Sequence, residues 1–449
     1  MTHHNARNTS SATRAKIAWL SPDGVIDPDF AEACREARLG ISALKDERSA
    51  DLAVADLRRR SITAPAARKL SNAARRAAPH GGVLFIASPD LDADRRRYLR
   101  RSGALVLTHD DPASFIEACR ARLRRRNLAE EAGERLKSLA AAGALRPMDD
   151  EKKPHGQSRV LVAGKPSPTT LKALSTARSG GFYVEGVLTP VQALQAIETN
   201  QFDCAVFLPS APSDPLRSLS AMVRRRSAQL DFPVITVAED AINGEDIVFP
   251  AHVADDLPGK IADAVKHARQ ARMIRRVLRM DPQSSITDRQ TQAATASFFA
   301  SHASRLLARA READRMLSLI ALSFHAGPID AGGAAEIGPP LDHATSLIND
   351  VTRPEDMLSR IAPRTFVLTC PFTHADDAER IADRIAGVMQ STMFKTRDAG
   401  TSDDILFSMG AKTSVIDNWD DLPLEEMVAH LLSALNHDTI RPRLAPAPA

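Results

Sequence analysis

The residues best suited to chemistry fall into two clusters of the 449-residue chain. In the C-terminal third, Arg353-Pro-Glu-Asp356 sets a guanidinium and a carboxylate three residues apart, and Arg380 and Arg384 follow one helical turn from each other. Such a set can close on itself as a surface ion pair, or it can offer a ligand a fork of donors, an acceptor and cations. Near the N-terminus, Asp51-Leu-Ala-Val-Ala-Asp56 ends an apolar run on a carboxylate. Other signals are weaker. Cys370 and His374 stand four apart and read as core and surface neighbours, and the 13 histidines form no His-Glu-x-x-His pair. There is no Walker A or Gly-x-Gly-x-x-Gly loop. Cys34, Cys119, Cys204 and Cys370 are scattered without a Cys-x-x-Cys pair, which points to buried thiols rather than a disulfide framework or zinc knuckle.

Two repeating strand–helix patterns must position these residues. In the first, short apolar strands at 16–20, 51–55, 83–87 and 104–107 alternate with helices at 29–38, 64–78, 92–101 and 112–126, four legible strands of an expected five-stranded sheet. The second has strands at 159–163, 184–188, 204–208, 234–238 and 247–249, with helices at 168–178, 190–200, 216–228 and from 258 to 280. Continuous apolar strands joined by helices argue for parallel sheets covered on both faces, an α/β flavodoxin-like architecture in tandem. The third region is α+β: helix 297–313, strand 317–324, a Gly/Pro-rich segment, helix 341–351, a hairpin around 358–369, helix 375–390, strand 405–412 and helix 424–435. The expected domains are therefore 14–126, a helical extension and linker at 127–157, 158–280 with its connecting helix, 281–437, and a disordered tail at 438–449.

Apolar residues make up 43% and charged residues 26% of the chain, a balance that supports sizeable cores and excludes collagen-like or wholly disordered readings. No run approaches 18 apolar residues, and MTHHNARNTSSATRAK lacks the apolar stretch of a secretory signal, so a cytoplasmic chain without membrane insertion is expected. Arginine triplets at 58–60, 95–97, 124–126 and 224–226 raise the question of nucleic acid. With a net charge of only +3 and 4% aromatic residues, solvated helix faces are the better reading and no direct nucleic-acid contact is expected.

The first two units resemble the receiver domains of response regulators. That resemblance implies a phosphoacceptor after the third strand, where Asp56 stands, with Asp23 as the remaining metal ligand. Ser88 would be the hydroxyl residue, and Thr108 and His109 stand where lysine is expected. In the second unit the matching positions are Gly164, Lys165, Leu208, Ala238 and Phe249, which cannot run phosphotransfer and imply a docking or dimerisation module.

From Ile286 onward the chain resembles the GGDEF domain of diguanylate cyclases, on Asp288, Thr291 and Phe299, on Ser408-Met-Gly410, and on Arg353-x-x-Asp356 placed five residues before a hairpin. The signature positions hold Ala362, Pro363, Arg364, Thr365 and Phe366, and Ser323 occupies a metal-ligand position. Cyclase chemistry needs carboxylates for two Mg²⁺ ions, so an inactive enzyme with no catalytic metal is expected. The resemblance makes Arg353-x-x-Asp356 a regulatory site for cyclic di-GMP, the arginine forking onto guanine O6 and N7 and the carboxylate accepting N1–H and N2–H. Arg384, or Arg380 one turn earlier, would meet a phosphate. The chain is thus similar to receiver–receiver–GGDEF response regulators, and is expected to be a cyclic di-GMP effector that recruits a protein partner or a second copy of itself through its receiver-like domains. The same resemblance extends to cell-cycle control and recruitment to a cell pole. The alternative is a phosphorelay scaffold switched at Asp56 with an inert third domain.

Overall fold

The structure, a computed structural model, describes residues 15–21, 23–43, 50–58, 64–78, 82–87, 105–107, 112–145, 157–211, 213–230, 233–237, 248–249, 257–279, 285–328, 340–397, 404–418 and 422–437. The chain divides into two compact units, one of Met1–Arg126 with Met148–Met273 and one of Asn127–Pro147 with Ile274–Ala449.

The first unit contains two doubly wound sheets. Strands β1 (Ala15–Leu20), β2 (Leu39–Ala43), β3 (Leu52–Leu57), β4 (Val83–Ala87) and β5 (Leu105–Leu107) are all parallel, in the order β2-β1-β3-β4-β5. The order reverses between β1 and β3, and in such sheets ligands bind beyond the carboxyl ends of the strands at that point. Helix α1 (Pro28–Glu36) and the first half of α3 (Pro112–Ala141) cover one face, where Trp19, Phe30 and Phe115 pack with ring centroids 4.9–6.0 Å apart, Phe115 edge-on to both others. Helix α2 (Ala64–Ala77) covers the other, with Ala74 and Ala77 against Ala53 and Phe85. The second sheet repeats this order as β10-β9-β8-β6-β7, from β6 (Arg159–Gly164), β7 (Tyr183–Val187), β8 (Cys204–Leu208), β9 (Val234–Val237) and β10 (Val248–Phe249). Helices α4 (Pro168–Ser179) and α7 (Leu257–Leu278) flank one face and α5 (Pro190–Thr199) and α6 (Pro215–Leu230) the other. Ser167 and Thr189 cap α4 and α5 by accepting from backbone N–H groups, each followed by a proline whose missing N–H costs the first turn nothing.

The strand Leu39–Ala43, absent from the sequence reading, completes the first sheet. It is an edge strand with one buried residue, Leu39, and a glycine at its second position, so it carries no apolar run to betray it. The helix expected at 92–101 lies outside the described residues.

In the second unit, a six-stranded mixed sheet runs β11-β13-β14-β12-β16-β15 from β11 (Ala294–Thr295), β12 (Leu317–Pro328), β13 (Met357–Ala362), β14 (Thr365–Pro371), β15 (Met393–Arg397) and β16 (Asp404–Asp417). Among the described residues of this sheet β11 and β13 pair in parallel and the other strand pairs are antiparallel. Helices α9 (Leu341–Val351) and α10 (Ala375–Ser391) pack on one face, with Ile348, Ile381, Ile385 and Met389 in the core. Helices α8 (Ala296–Glu312) and α11 (Leu424–His437) pack on the other, with Phe298, Leu306, Met427 and Leu431 buried. Both β12 and β16 are longer than the sequence pattern indicates, and β15 had no counterpart there. Within the stretch 127–157, read from sequence as a helical extension and linker, α3 continues to Ala141, and residues up to Ala144 contribute to this unit's core. Leu139 and Ala144 pack against the α8/α11 side, and Leu128, Ala132 and Leu136 pack against Ile274, Val277 and Leu278.

Candidate functional site

Helix α9 ends at Val351, and the chain turns through Arg353–Asp356 into β13. The turn is closed twice: Asp356 N donates to the Arg353 carbonyl at 3.0 Å, and Arg353 N donates to Asp356 Oδ2 at 2.9 Å. The two side chains part company beyond that. Arg353 is exposed and its guanidinium makes no ion pair among the described residues, whereas Asp356 is 8% exposed. Its Oδ1 is buried without a hydrogen-bond partner among the described residues. Burial pushes the Asp356 carboxyl up to about 7, and the neighbouring Glu355 and Glu131 charges add to the shift against the opposing Arg353 N–H and guanidinium. The Cys370 thiol, beside Asp356 in the same core, is pushed well up by its own burial and by the Asp356 charge.

Arg380 and Arg384 are both exposed on α10, the helix that covers the Cys370 face of the sheet. Arg380 pairs with Asp377 at 3.4 Å, while Arg384 has no ion pair among the described residues. Neither is hydrogen-bonded to Arg353 or Asp356 in this structure.

The hairpin that follows is tight. Ala362 pairs with Thr365, leaving Pro363 and Arg364 as the turn, and Phe324 N donates to the Arg364 carbonyl at 3.0 Å. Ser323 lies opposite Thr365 in the β12–β14 register, and Phe366 is fully buried edge-on to Phe324 with centroids 5.3 Å apart. The hairpin's flank is pinned by Arg360, which donates to Asp288 Oδ1, to Gln290 Oε1 and to the Pro363 carbonyl at 2.8–3.0 Å. Asp288 also accepts from Thr291 N and Oγ1, and these bonds with the Arg360 charge hold its carboxyl below the ordinary range although burial opposes them. Among the described residues no cluster of three or more His, Cys, Asp or Glu side chains can hold a metal ion.

On the opposite sheet face a buried polar network reaches the same turn, and nothing in the sequence reading pointed to it. Glu131 and Arg135 of α3 form a fully buried pair, Arg135 Nη2 to Glu131 Oε1 at 2.6 Å. Glu131 Oε1 also meets His302 Nε2 at 2.9 Å, and His302 Nδ1 meets Ser138 Oγ at 3.0 Å. Arg135 then donates to the Leu278 carbonyl at 2.7 Å and to the Glu355 carbonyl at 3.3 Å. Glu131/Arg135 was visible in sequence as an ordinary helical i, i+4 pair, the usual mark of a solvated face.

No protein-family model matches the chain, and no curated protein does. Solved structures do. The chain is similar to the GGDEF domain of DgcB from Caulobacter crescentus in complex with c-di-GMP, at 19% identity over 35% of this chain and 89% of that one, with a TM-score of 0.30. It is similar also to the diguanylate cyclase SiaD in complex with its activator SiaC from Pseudomonas aeruginosa (16% identity, 49% and 76% covered, TM-score 0.30). A third is the FimX GGDEF domain from Pseudomonas aeruginosa (14% identity, 34% and 92% covered, TM-score 0.27).

In the first unit, Asp56 sits near the carboxyl end of β3 with both oxygens engaged. Arg58 Nε donates to Oδ1 at 2.9 Å and Nη2 to Oδ2 at 2.7 Å, a two-point fork, and Nη2 also reaches Asp27 Oδ2 at 3.0 Å. The guanidinium lies over the Phe30 ring at 4.9 Å. Among the described residues Asp27 shares Arg58 with Asp56, and Asp23, exposed in a turn, accepts from Val25 N. Ser88, Thr108 and His109 lie outside the described residues, as do Ala238 and the segment before Val248. In the second sheet, a Cβ added to Gly164 would lie 2.7 Å from Thr170 Oγ1, so no side chain fits there without displacing α4. A strongly held carboxylate nearby is Asp214. Burial alone would raise its pKa, but bonds from Ser210 N and Oγ, Leu216 N and Lys165 bring it to about 2.

Proposed function

We propose that the protein binds cyclic di-GMP at the Arg353–Asp356 turn and acts as a non-catalytic signalling adaptor. One observation carries this reading: the i, i+3 ion pair that would make Arg353 and Asp356 an ordinary surface feature is not formed. Arg353 keeps a guanidinium exposed to solvent and without an ion pair among the described residues, able to fork onto guanine O6 and N7. Asp356 keeps an oxygen lacking its hydrogen bond, which guanine N1–H and N2–H would supply. Arg384, exposed on α10 and without an ion pair among the described residues, is the cation for a ligand phosphate. The absence of turnover is argued from chemistry. Ser323 faces Thr365, and Arg364 occupies the turn where two Mg²⁺ ions would need carboxylates. The two doubly wound domains supply the surface for a protein partner or a second copy.

Calorimetric titration of the full chain with cyclic di-GMP tests this. Arg353→Ala should weaken binding by about 30-fold or more, roughly 2 kcal/mol, as for a central arginine in a recognition site. No heat from the unmutated chain, or equal affinity in the variant, refutes the assignment. Magnesium-dependent conversion of GTP to a cyclic dinucleotide would refute its non-catalytic half.

A further inference from the structure

Asp356 Oδ1 is the atom that a guanine edge would have to reach, and it is buried. Entry of a ligand therefore requires the 353–356 segment to shift. That segment is not free to do so, because the Glu355 carbonyl, one residue before Asp356, is held from the other sheet face by Arg135. Arg135 is itself fixed: Glu131 takes its Nε and Nη2 together at 3.0 and 2.6 Å, and the Leu278 carbonyl takes Nη1 at 2.7 Å. Glu131 is anchored through His302 to Ser138, two turns further along α3, so residues 127–141 are stitched to α8 and to the turn by a single chain of polar contacts. A second fastening comes from Arg315, which pairs with Glu130 and stacks over the Phe372 ring at 5.2 Å.

We propose that residues 127–141 form an intramolecular strap that opposes ligand entry, with Arg135 as the positioning residue whose grip on the Glu355 carbonyl must be released when the Arg353–Asp356 turn opens. The inference rests on the cyclic di-GMP reading of that turn and adds its regulation. The coupling is reciprocal: whatever factor the strap subtracts from ligand affinity, the ligand subtracts from the closure of the strap.

Amide hydrogen exchange on the full chain, with and without saturating cyclic di-GMP, reads the strap directly. In the unmutated chain the ligand should speed exchange across residues 128–141 by about fivefold or more, the lower range of allosteric couplings. Arg135→Met alone would leave the Glu131 carboxylate buried without its cation and can prevent folding. The informative variant is Glu131→Gln with Arg135→Met, which removes both charges while glutamine keeps a partner for His302. It should bind cyclic di-GMP about fivefold more tightly, and the ligand should no longer alter exchange in 128–141. Mere structural damage would weaken binding instead. Ligand-saturated protein with unchanged exchange in 128–141, or a double variant that binds equally or less tightly, overturns the strap and leaves the ligand site standing. Absence of binding by both chains overturns the ligand site and the strap with it.

Discussion

Asp356 gives the most direct access to the site, because its proton is tied to both stability and binding. In the folded chain its carboxyl titrates near 7, against an ordinary value of 3.8, chiefly because the group is buried. The folded state thus holds a proton that the unfolded chain has lost across that interval. The resulting stabilisation is fully present below pH 4 and disappears as pH rises through 7. Three units correspond to roughly 4 kcal/mol, at about 1.4 kcal/mol per unit. Asp356→Asn keeps the shape and an acceptor for Arg353 N but has no proton to release. Hydrogen exchange of the β13 and β14 amides at pH 5, 6, 7 and 8 gives local opening free energies for both chains. Their difference cancels every other titrating group and should fall by about 1.4 kcal/mol per unit from pH 5 to 7, then level off. Ligand binding moves oppositely. A guanine edge donates two N–H groups and needs the carboxylate, so affinity should drop about tenfold for each unit below pH 7 in the unmutated chain. It should stay flat in Asp356→Asn. A stability difference that is flat or rises with pH refutes the buried, proton-retaining Asp356, and a pH-independent affinity refutes its role as guanine acceptor.

Other parts of the chain make separate predictions. Arg58→Ala leaves Asp56 and Asp27 without their shared cation and should cost about 1–2 kcal/mol in urea unfolding, since the pair is partly solvated. The same variant should label more readily with acetyl phosphate than the unmutated chain, because the fork on Asp56 no longer blocks its oxygens. Gly164→Ala should destabilise the second doubly wound domain by about 1–3 kcal/mol through contact with Thr170, and Thr170→Ala should restore most of the loss in a thermal melt. Phe366→Ala removes a fully buried ring packed against Phe324 and should cost about 3–5 kcal/mol, read by urea titration.

What the sequence disclosed and what it concealed divides along contact range. VLFIA, CAVFL and RVLVA declared buried strands because every residue but Arg159 is buried under a helix-covered sheet face, and that pattern needs only neighbours in sequence. The hairpin was legible for the same reason. Leu39–Ala43 was not, because pairing at a sheet edge is decided by β1 and leaves most of its side chains unburied. The candidate site splits likewise. Arg353 and Asp356 share one turn and were found from spacing, yet their spacing could not reveal that the carboxylate faces inward while the guanidinium faces out. The strap was out of reach altogether: Glu131 meets His302 across 171 residues and Arg135 meets Glu355 across 220. Such pairs carry no local periodicity, and a glutamate and an arginine four apart read as a solvated face unless the fold is known. The physical clue lies elsewhere. Two charges fully withdrawn from water need several fixed partners to persist, and here those partners include the backbone of the very turn that carries the proposed ligand pair. A helix serving only to span two domains would have no reason to bury a guanidinium against the Glu355 carbonyl, and the strap accounts for that contact.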